Sequence, residues 1–237
     1  MSNPYFSFKQ FTVFHDKCAM KVGIDGVLLG AWTPIENSKR ILDVGTGTGL
    51  IALMLAQRTN ADIVGIDIDY QAVFQATENI KNSPWPNRMK VIESSLQEYS
   101  KSTSDRFDLI VSNPPYFVNS TKTPYEKRTT ARHTDLLTHE ELIENTMKLL
   151  NPAGRICIIL PVNEGLQCID FAESKCLFCT KQVTVFPKSS AHAKRLLLEF
   201  SLIKSTRIET ELVIETDVRH QYSPEFTDLA KDYYLNL

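Results

Sequence analysis

The chain has 237 residues, of which 43% are hydrophobic and 23% charged, a composition typical of a folded globular protein and not of a disordered or fibrous one. Its formal net charge of -2 excludes a whole-protein attraction for polyanions, so nucleic-acid binding would need local basic patches. No stretch is long and apolar enough to predict a membrane span, and the first twenty residues do not resemble a secretory signal.

Short β-branched runs alternate with amphipathic segments from residue 39 onward, which predicts a mostly parallel sheet with helices on both faces. The predicted strands are 40–44, 63–66, 89–92, 107–111, 155–160, 181–186 and 195–203. The predicted helices are 50–58, 70–82, 138–150 and 164–175. The loop before the last strand is too short to hold a crossover helix, so this strand is predicted to be antiparallel and near an edge. The predicted fold class is therefore α/β, with a seven-stranded sheet that contains one reversed strand.

A single domain is expected for a chain of this length. Its core is residues 39–204, preceded by an extension over 1–38 and followed by a strand and a helix within 205–237. Thr138 and Glu141 predict a capping box at the start of the 138–150 helix. The insert at 119–135 is too long for an ordinary connection, and we interpret it as a functional or mobile loop.

The chain contains five cysteines, an odd number that suits a reducing compartment better than a disulfide framework. Cys176 and Cys179 form an isolated CxxC pair without two further ligands at the spacing of a zinc site. We therefore expect free thiols, no metal and a cytoplasmic protein.

A glycine-rich segment, DVGTGTGLIAL at 43–53, follows the first predicted strand. Gly45, Gly47 and Gly49 allow a sharp turn and the close approach of a ligand to the backbone. The position where a dinucleotide fingerprint has its last glycine holds Leu50. The segment therefore predicts a nucleotide-like ligand other than a dinucleotide.

Two aspartates at strand ends refine the predicted ligand. Asp43 would repel a pyrophosphate but suits a ligand with a cationic end, such as the ammonium and sulfonium of S-adenosylmethionine. Asp67 ends the second strand, where a carboxylate can accept both ribose hydroxyls of a nucleoside. Together they predict a ligand that combines a nucleoside with a positively charged group.

An unusual sequence, FDLIVSNPPYFVNS at 107–120, covers the fourth predicted strand and the residues after it. Because ligands of an open α/β sheet bind beyond the carboxyl ends of its strands, this segment should face the ligand. Asn113 Oδ1 and the Pro114 carbonyl can accept both protons of one NH2 group, which favours a tetrahedral nitrogen as it attacks an electrophilic methyl. Tyr116 offers a face for stacking of a planar base. We predict Asn113, Pro114 and Tyr116 as catalytic residues.

These motifs resemble those of class I S-adenosylmethionine-dependent methyltransferases, a Rossmann-like fold. The Asn-Pro-Pro-Tyr sequence is similar to that of the amino-methyltransferases that modify adenine N6, cytosine N4 or glutamine N5. Many enzymes of this class hold the cofactor's adenine with an aspartate after the third strand. Ser95 occupies that position here, beside Leu96. The resemblance implies that Ser95, Leu96 and Asn113 contact the cofactor.

The segment KCAMKVGIDGVLLGAW at 17–32 resembles the N-terminal motif of a narrower family, the bacterial valine-tRNA adenine-N6 methyltransferases, which act next to the anticodon. Ile24 stands where a threonine is usual. Further matches, DVGTGTGLIALMLAQR, FDLIVSNPPYF, ARHTDLL and FTDLAKDYYL, extend the resemblance over essentially the whole chain. The resemblance implies Lys21 and Asp25 as contacts to the cofactor's methionine end, and tRNA as the substrate.

Basic residues cluster in two segments that follow strand ends, where they are placed to hold phosphates on either side of a flipped base. The clusters are Lys122, Lys127, Arg128, Arg132 and His133, and Lys188, His192, Lys194 and Arg195. An ordinary solvated face is the alternative interpretation. The predicted substrate-binding residues are Tyr116, Arg132, His133, Lys188, Lys194 and Arg195.

Three other functions stay open on the sequence. A glutamine N5 methyltransferase of release factors shares the Asn-Pro-Pro-Tyr motif, but usually has a separate helical N-terminal domain, for which residues 1–38 are too few. A DNA adenine methyltransferase would be expected to carry a recognition domain. A non-catalytic RNA- or cofactor-binding module is the third alternative, disfavoured by the presence of Asn113 and Pro114.

Overall fold

A computed structural model of the chain describes residues 3–18, 21–115, 137–218 and 221–236. Within these ranges its strands are β1 Tyr5–Ser7, β2 Thr12–Phe14, β3 Arg40–Val44, β4 Asp62–Asp67, β5 Met89–Glu93, β6 Phe107–Ser112, β7 Leu150–Pro161, β8 Phe178–Lys188, β9 Arg195–Ser201 and β10 Ile208–Glu215. Its α-helices are α1 Ile24–Trp32, α2 Leu50–Arg58, α3 Tyr70–Lys81, α4 Leu96–Ser102, α5 His139–Leu149, α6 Val162–Ser174 and α7 Pro224–Ala230.

The main sheet has the strand order β10-β8-β9-β7-β6-β3-β4-β5, and β1 pairs with β2 in a separate hairpin. β9 runs antiparallel to both of its neighbours, and the other neighbouring pairs are parallel. The predicted fold class is confirmed. The sheet has one strand more than the predicted seven, because β10 pairs in parallel with β8 and forms an edge of the sheet. The sequence TELVIET at 210–216 predicts a strand but does not indicate its partner.

β7 begins earlier than the predicted start at 155. Residues 151–154, the Asn-Pro-Ala-Gly sequence expected to end the preceding helix, lie inside its bounds. The pairing with β6 is irregular there, since Phe107 pairs with Leu150 but Leu109 pairs with Arg155. Residues 151–154 are thus accommodated as an irregularity of the strand.

The capping box predicted at the start of α5 is confirmed. Thr138 Oγ1 accepts the Glu141 amide at 3.1 Å, and Glu141 Oε2 accepts the Thr138 amide at 3.0 Å. This box fixes the point at which the chain enters α5.

Buried side chains cover both faces of the main sheet. One cluster joins the sheet to α1, α2 and α7, and contains Val13, Ile41 and Phe226. The other joins it to α4, α5 and α6, and contains Leu42 and Leu142. Neighbouring residues of one strand, such as Ile41 and Leu42, contribute to opposite clusters, as the period-two geometry of a strand requires. Residues 1–38 and 205–237 both contribute to the first cluster.

Helix α1 packs closely against α2 because two of its residues lack a side chain. A Cβ on Gly26 would lie 2.9 Å from Leu50 Cδ2, and one on Gly30 would lie 2.8 Å from Met54 Sδ and 2.9 Å from Met54 Cβ. Arg58 Nη1 then donates to the Gly30 carbonyl at 3.0 Å. Helix α2 begins directly after the last glycine of the glycine-rich segment. The packing of α1 against α2 therefore also stabilises the position of that segment.

The cysteines among the described residues are free thiols, with Cys176 exposed, Cys18 half-buried and three others buried. No group of three His, Cys, Asp or Glu side chains in the described ranges is arranged to hold a metal ion. None of the described helices has the length and hydrophobicity needed to cross a membrane.

Replacing Gly30 with alanine should lower the free energy of unfolding by about 1–3 kcal/mol, because the new Cβ overlaps Met54. Urea denaturation measures this change. Gly23→Ser is the matched control in the same segment, since the nearest heavy atom to a Cβ there is 3.9 Å away. Equal stability of Gly30→Ala and the wild type would contradict this account of the α1–α2 contact.

Candidate active site

A cavity opens at the carboxyl ends of β3, β4, β5 and β6, where the predicted motifs meet. We name it the strand-end cavity. Its lining includes Gly45, Gly47, Asp67, Leu96, Asn113 and Pro114. The part of the cavity that the described residues enclose has a volume of about 250 Å³. Small-molecule sites have volumes of about 300–1,000 Å³, so the cavity lies just below that range and suits a small molecule, not a macromolecule.

The glycine-rich loop at 45–49 has a backbone that requires its glycines. Gly45, Gly47 and Gly49 have φ values of 69°, 55° and 80°, in the left-handed region that residues with a Cβ disfavour. A Cβ on Gly45 would meet no heavy atom within 4 Å, so the space beside this residue is open. Gly49 precedes the first turn of α2 and does not line the cavity among the described residues. The loop thus brings bare backbone to the cavity wall.

Asp67 is fixed at the cavity by two backbone amides. Its Oδ2 accepts the Gly47 amide at 2.9 Å and its Oδ1 accepts the Asp69 amide at 2.9 Å. Burial raises the pKa of the Asp67 carboxyl above its ordinary value, although both amide bonds oppose that rise. Each oxygen retains a further lone pair, so the carboxylate can accept hydrogen bonds from a ligand's hydroxyls.

Asp43 lies behind the glycine-rich loop, completely buried. Its Oδ2 accepts the Thr46 hydroxyl at 2.7 Å and the Ala52 amide at 3.2 Å. Its Oδ1 is buried without a hydrogen-bond partner among the described residues. Burial raises the pKa of the Asp43 carboxyl to about 7, and repulsion from Asp67 adds to the rise. A carboxyl that is partly ionised at neutral pH, with one oxygen still able to accept, therefore lies beneath the loop.

The residues after β5 are arranged differently from the sequence prediction. Ser95 is the N-cap of α4, where its Oγ accepts the Glu98 amide at 3.1 Å, and it is not among the described residues that line the cavity. Ser94 and Gln97 line the cavity instead, together with the predicted Leu96. The sequence analysis did not predict α4. A Ser-x-x-Glu pattern at 95–98 is the signal that would have located it.

The end of β6 is hydrogen-bonded to the end of β3, directly before the glycine-rich loop. Ser112 Oγ donates to the Val44 carbonyl at 3.0 Å, across the β3–β6 pair. Asn113, Pro114 and Pro115 follow directly and line the cavity. The structure thereby brings the two predicted acceptors to the same cavity as Gly47 and Asp67.

Several predicted residues lie outside the described residues. They are Tyr116, Lys122, Lys127, Arg128, Arg132 and His133, with the rest of the 119–135 insert. Their predicted roles in stacking and in tRNA binding stay predictions.

The N-terminal motif and the second basic cluster are joined by an ion pair. Arg195 Nε lies 2.9 Å from Asp25 Oδ2, and both side chains are largely buried. Neither residue is among the described cavity-lining residues, and neither is Lys21. The ion pair therefore connects the start of α1 to the start of β9. No local pattern in the sequence predicts this contact.

The rest of the second basic cluster lies in and beside the β8–β9 loop. Lys188 Nζ lies 3.6 Å from Glu215 Oε2, whereas His192 and Lys194 are exposed. The loop is anchored to the turn after β10, because Ser189 Oγ donates to Asp217 Oδ2 at 2.8 Å.

Comparisons with known proteins agree with this geometry. Residues 21–176 match the family described as the methyltransferase small domain. A tRNA1(Val) (adenine(37)-N6)-methyltransferase of Bacteroides fragilis is 50% identical, and one of Parabacteroides distasonis is 52% identical; each alignment covers 100% of both chains. A solved structure, described as a predicted O-methyltransferase from Agrobacterium tumefaciens, matches with a TM-score of 0.71 at 16% identity. It covers 90% of this chain and 100% of that one, and supports the fold alone.

The family match spans well over half of the chain, and the relatives align over its full length at about half identical residues. The chain therefore belongs to the methyltransferase small-domain family and, within it, to the bacterial family of valine-tRNA adenine-N6 methyltransferases.

Proposed function

We propose that this protein transfers the methyl group of S-adenosylmethionine to the exocyclic N6 amine of an adenine in tRNA, next to the anticodon of a valine tRNA. The observation that carries this proposal is the meeting of Asn113 and Pro114 with the glycine-rich loop and Asp67 in one cavity. The specific nucleotide is supported by the relatives named tRNA1(Val) (adenine(37)-N6)-methyltransferases. The cytoplasm is the proposed location of the reaction.

The polar groups of the strand-end cavity fit S-adenosylmethionine. Asp67 is placed to accept the ribose hydroxyls, and Leu96 with Ile68 provides apolar surface for the adenine. Asp43 is not among the described residues that line the cavity, but its buried Oδ1 has no hydrogen-bond partner among the described residues, so this carboxyl favours a ligand with positive charge nearby. When bound, this cofactor supplies a methyl group made electrophilic by a sulfonium sulfur.

Asn113 and Pro114 then act on the substrate amine. The Asn113 Oδ1 and the Pro114 carbonyl oxygen accept one N–H each, and both acceptors are held by the β6 end that Ser112 pins to β3. Two fixed acceptors stabilise the nitrogen as it becomes tetrahedral, so that its lone pair is no longer delocalised into the base and becomes available for attack on the methyl group. The excess proton of the product is acidic and leaves to water, so this mechanism needs no general base before attack.

The tRNA surface proposed for this cavity includes the β8–β9 loop. Lys194 is exposed in it, and the loop is anchored by Asp217. Lys188 and Arg195 are also proposed to contribute positive charge, although each is paired with a carboxylate in the structure. Tyr116, Arg132 and His133 complete the proposed substrate site from the insert.

Transfer from labelled S-adenosylmethionine to bulk tRNA, release factor or DNA tests the proposed substrate. We expect label in tRNA alone, as N6-methyladenine on nucleoside mass spectrometry. Label in release factor would establish glutamine N5 methylation. Label in none of the three, with cofactor binding intact, would establish a non-catalytic module.

Asn113→Ala should lower the rate of transfer by about 10²–10³-fold, because one of two fixed acceptors is lost in the transition state. The affinity for S-adenosylhomocysteine should stay close to the wild-type value. Single-turnover kinetics and calorimetry measure the two quantities. Asn113→Asp retains an acceptor oxygen and should keep more activity than the alanine variant. Wild-type turnover of Asn113→Ala would refute the amine-binding role.

Cofactor affinity should rise as the pH increases through about 7, because a cationic ligand favours the ionised Asp43, whose pKa burial raises to about 7. Binding lowers that pKa, so a proton is released on binding near neutral pH. Asp43→Asn cannot release it. Calorimetry in buffers of different ionisation enthalpy should therefore find more protons released by the wild type than by Asp43→Asn. Equal proton release by the two would remove Asp43 from cofactor recognition.

Lys194→Ala should raise the Michaelis constant for tRNA several-fold and flatten its dependence on salt, because one phosphate contact is lost. Lys39→Ala removes the same charge from an exposed residue directly before β3, at the opposite end of this strand from the cavity, and should change neither. Identical salt dependence of the two variants would exclude the β8–β9 loop from the tRNA surface.

A further inference from the structure

Residues 14–18, here called the N-terminal arm, are held against α3 by two buried amide side chains. Asn79 Oδ1 accepts the Phe14 amide at 3.0 Å, and Asn79 Nδ2 donates to the Phe14 carbonyl at 2.9 Å. One helical turn earlier, Gln75 Oε1 accepts the Lys17 amide at 3.1 Å. Both side chains are about 1% exposed. The arm is therefore attached to α3 through its backbone at two points, and through the Lys17 ammonium, which lies 2.6 Å from Glu78 Oε2 on the same helix.

Asn79 also attaches the glycine-rich loop. Its Nδ2 donates a second hydrogen bond to the Thr48 carbonyl at 2.9 Å. Both donor hydrogens of this amide and one of its acceptor lone pairs are thus used, by two segments far apart in sequence. A displacement of the arm would leave a buried amide short of partners, which is costly. The positions of the arm and of the loop are therefore linked through one side chain.

The arm ends at the strand-end cavity. Cys18 lines this cavity together with Asp67, Asp69 and Ala72, on the side of the carboxylate proposed to hold the ribose. Ala72 belongs to the same helix as Gln75, one turn before it. The attachment to α3 therefore determines where Cys18 lies relative to Asp67.

We propose that the N-terminal arm is the wall of the cofactor site on its ribose side, and that Gln75 and Asn79 are positioning residues that couple docking of the arm to binding of the cofactor. This inference rests on the proposed assignment of the cavity to S-adenosylmethionine. It predicts that bound cofactor covers Cys18. It also predicts that releasing the arm weakens cofactor binding without affecting the transfer step itself.

Alkylation of Cys18 by iodoacetamide tests the first part in the wild-type protein. Saturating S-adenosylhomocysteine should slow labelling of Cys18, as followed by peptide mass spectrometry. Cys176 is exposed at the far end of α6 and serves as the internal control, with an unchanged rate. Burial raises the pKa of Cys168 to about 12 and that of Cys179 to about 12, and it raises the pKa of Cys157 further, so these thiols should label slowly in both states.

Gln75→Ala tests the second part, because Gln75 contacts the arm but makes no hydrogen bond to the glycine-rich loop among the described residues. Loss of its hydrogen bond should weaken binding of S-adenosylhomocysteine by about fivefold, raise the Michaelis constant for the cofactor and leave kcat unchanged. Labelling of Cys18 in the free protein should become faster. Thr77→Ala is the control on the exposed face of the same helix, and should match the wild type in all four quantities.

The outcomes separate this inference from the proposed function. If the wild type binds S-adenosylhomocysteine and Cys18 labels at the same rate with and without it, the arm is not part of the cofactor site. If Gln75→Ala retains wild-type affinity and a wild-type Cys18 rate, the coupling is refuted. If the wild type does not bind S-adenosylhomocysteine at all, the cofactor assignment fails and the inference fails with it. If Gln75→Ala does not fold, the wild-type labelling experiment still decides whether the arm belongs to the cofactor site. Gln75→Met, which keeps the length of the side chain but lacks the acceptor oxygen, then tests the coupling by the same measurements.

Discussion

The carboxyl ends of three adjacent parallel strands, β6, β3 and β4, lie side by side. The site depends on this arrangement. Val44 of β3 pairs with Ile66 of β4 and with Ser112 of β6, so the loops that follow start from neighbouring positions about 5 Å apart. Two hydrogen bonds then fix these loops to each other, from the Gly47 amide to Asp67 and from the Ser112 hydroxyl to Val44. The glycine-rich loop, Asp67 and the Asn113-Pro114 segment are thereby brought to one cavity.

The same arrangement places a carboxyl group where solvation is poor. The Thr46 hydroxyl and the Ala52 amide offset part of the cost of burying Asp43, yet the pKa of this carboxyl is still raised to about 7. Asp43 Oδ1 is buried without a hydrogen-bond partner among the described residues. A positive charge bound nearby would favour the ionised carboxylate and lower this pKa.

Local patterns in the sequence predict the parts of this protein that depend on short-range physics. The 40–44 strand, the 50–58 helix and the Thr138 capping box appear where they were predicted, because alternation of apolar residues and capping chemistry act within a few residues. The glycine-rich loop and Asn113 were also identified from local sequence. The structure places them at one cavity, because β3 and β6 are neighbouring parallel strands whose carboxyl ends lie side by side.

Features that depend on contacts between distant residues were not predictable in this way. Asp25 and Arg195 are separated by 170 positions, and no local pattern indicates that a residue implied for the cofactor pairs with one proposed for tRNA. Gln97 lines the cavity and the predicted Ser95 does not, because α4 begins directly after Ser95. The start of this helix therefore decides which of the two side chains lies at the cavity wall. The positions that were missed are therefore set by helix starts and long-range pairs, not by composition.

A crystal structure of the protein with S-adenosylhomocysteine and the anticodon stem-loop of its tRNA would show whether Asn113 and Pro114 bind the substrate amine. The N6 atom of the target adenine should lie within about 3.2 Å of both Asn113 Oδ1 and the Pro114 carbonyl oxygen. This nitrogen should also face the cofactor's sulfur. A target amine held by other groups, or a sulfur that points away from Asn113, would contradict this role of Asn113 and Pro114.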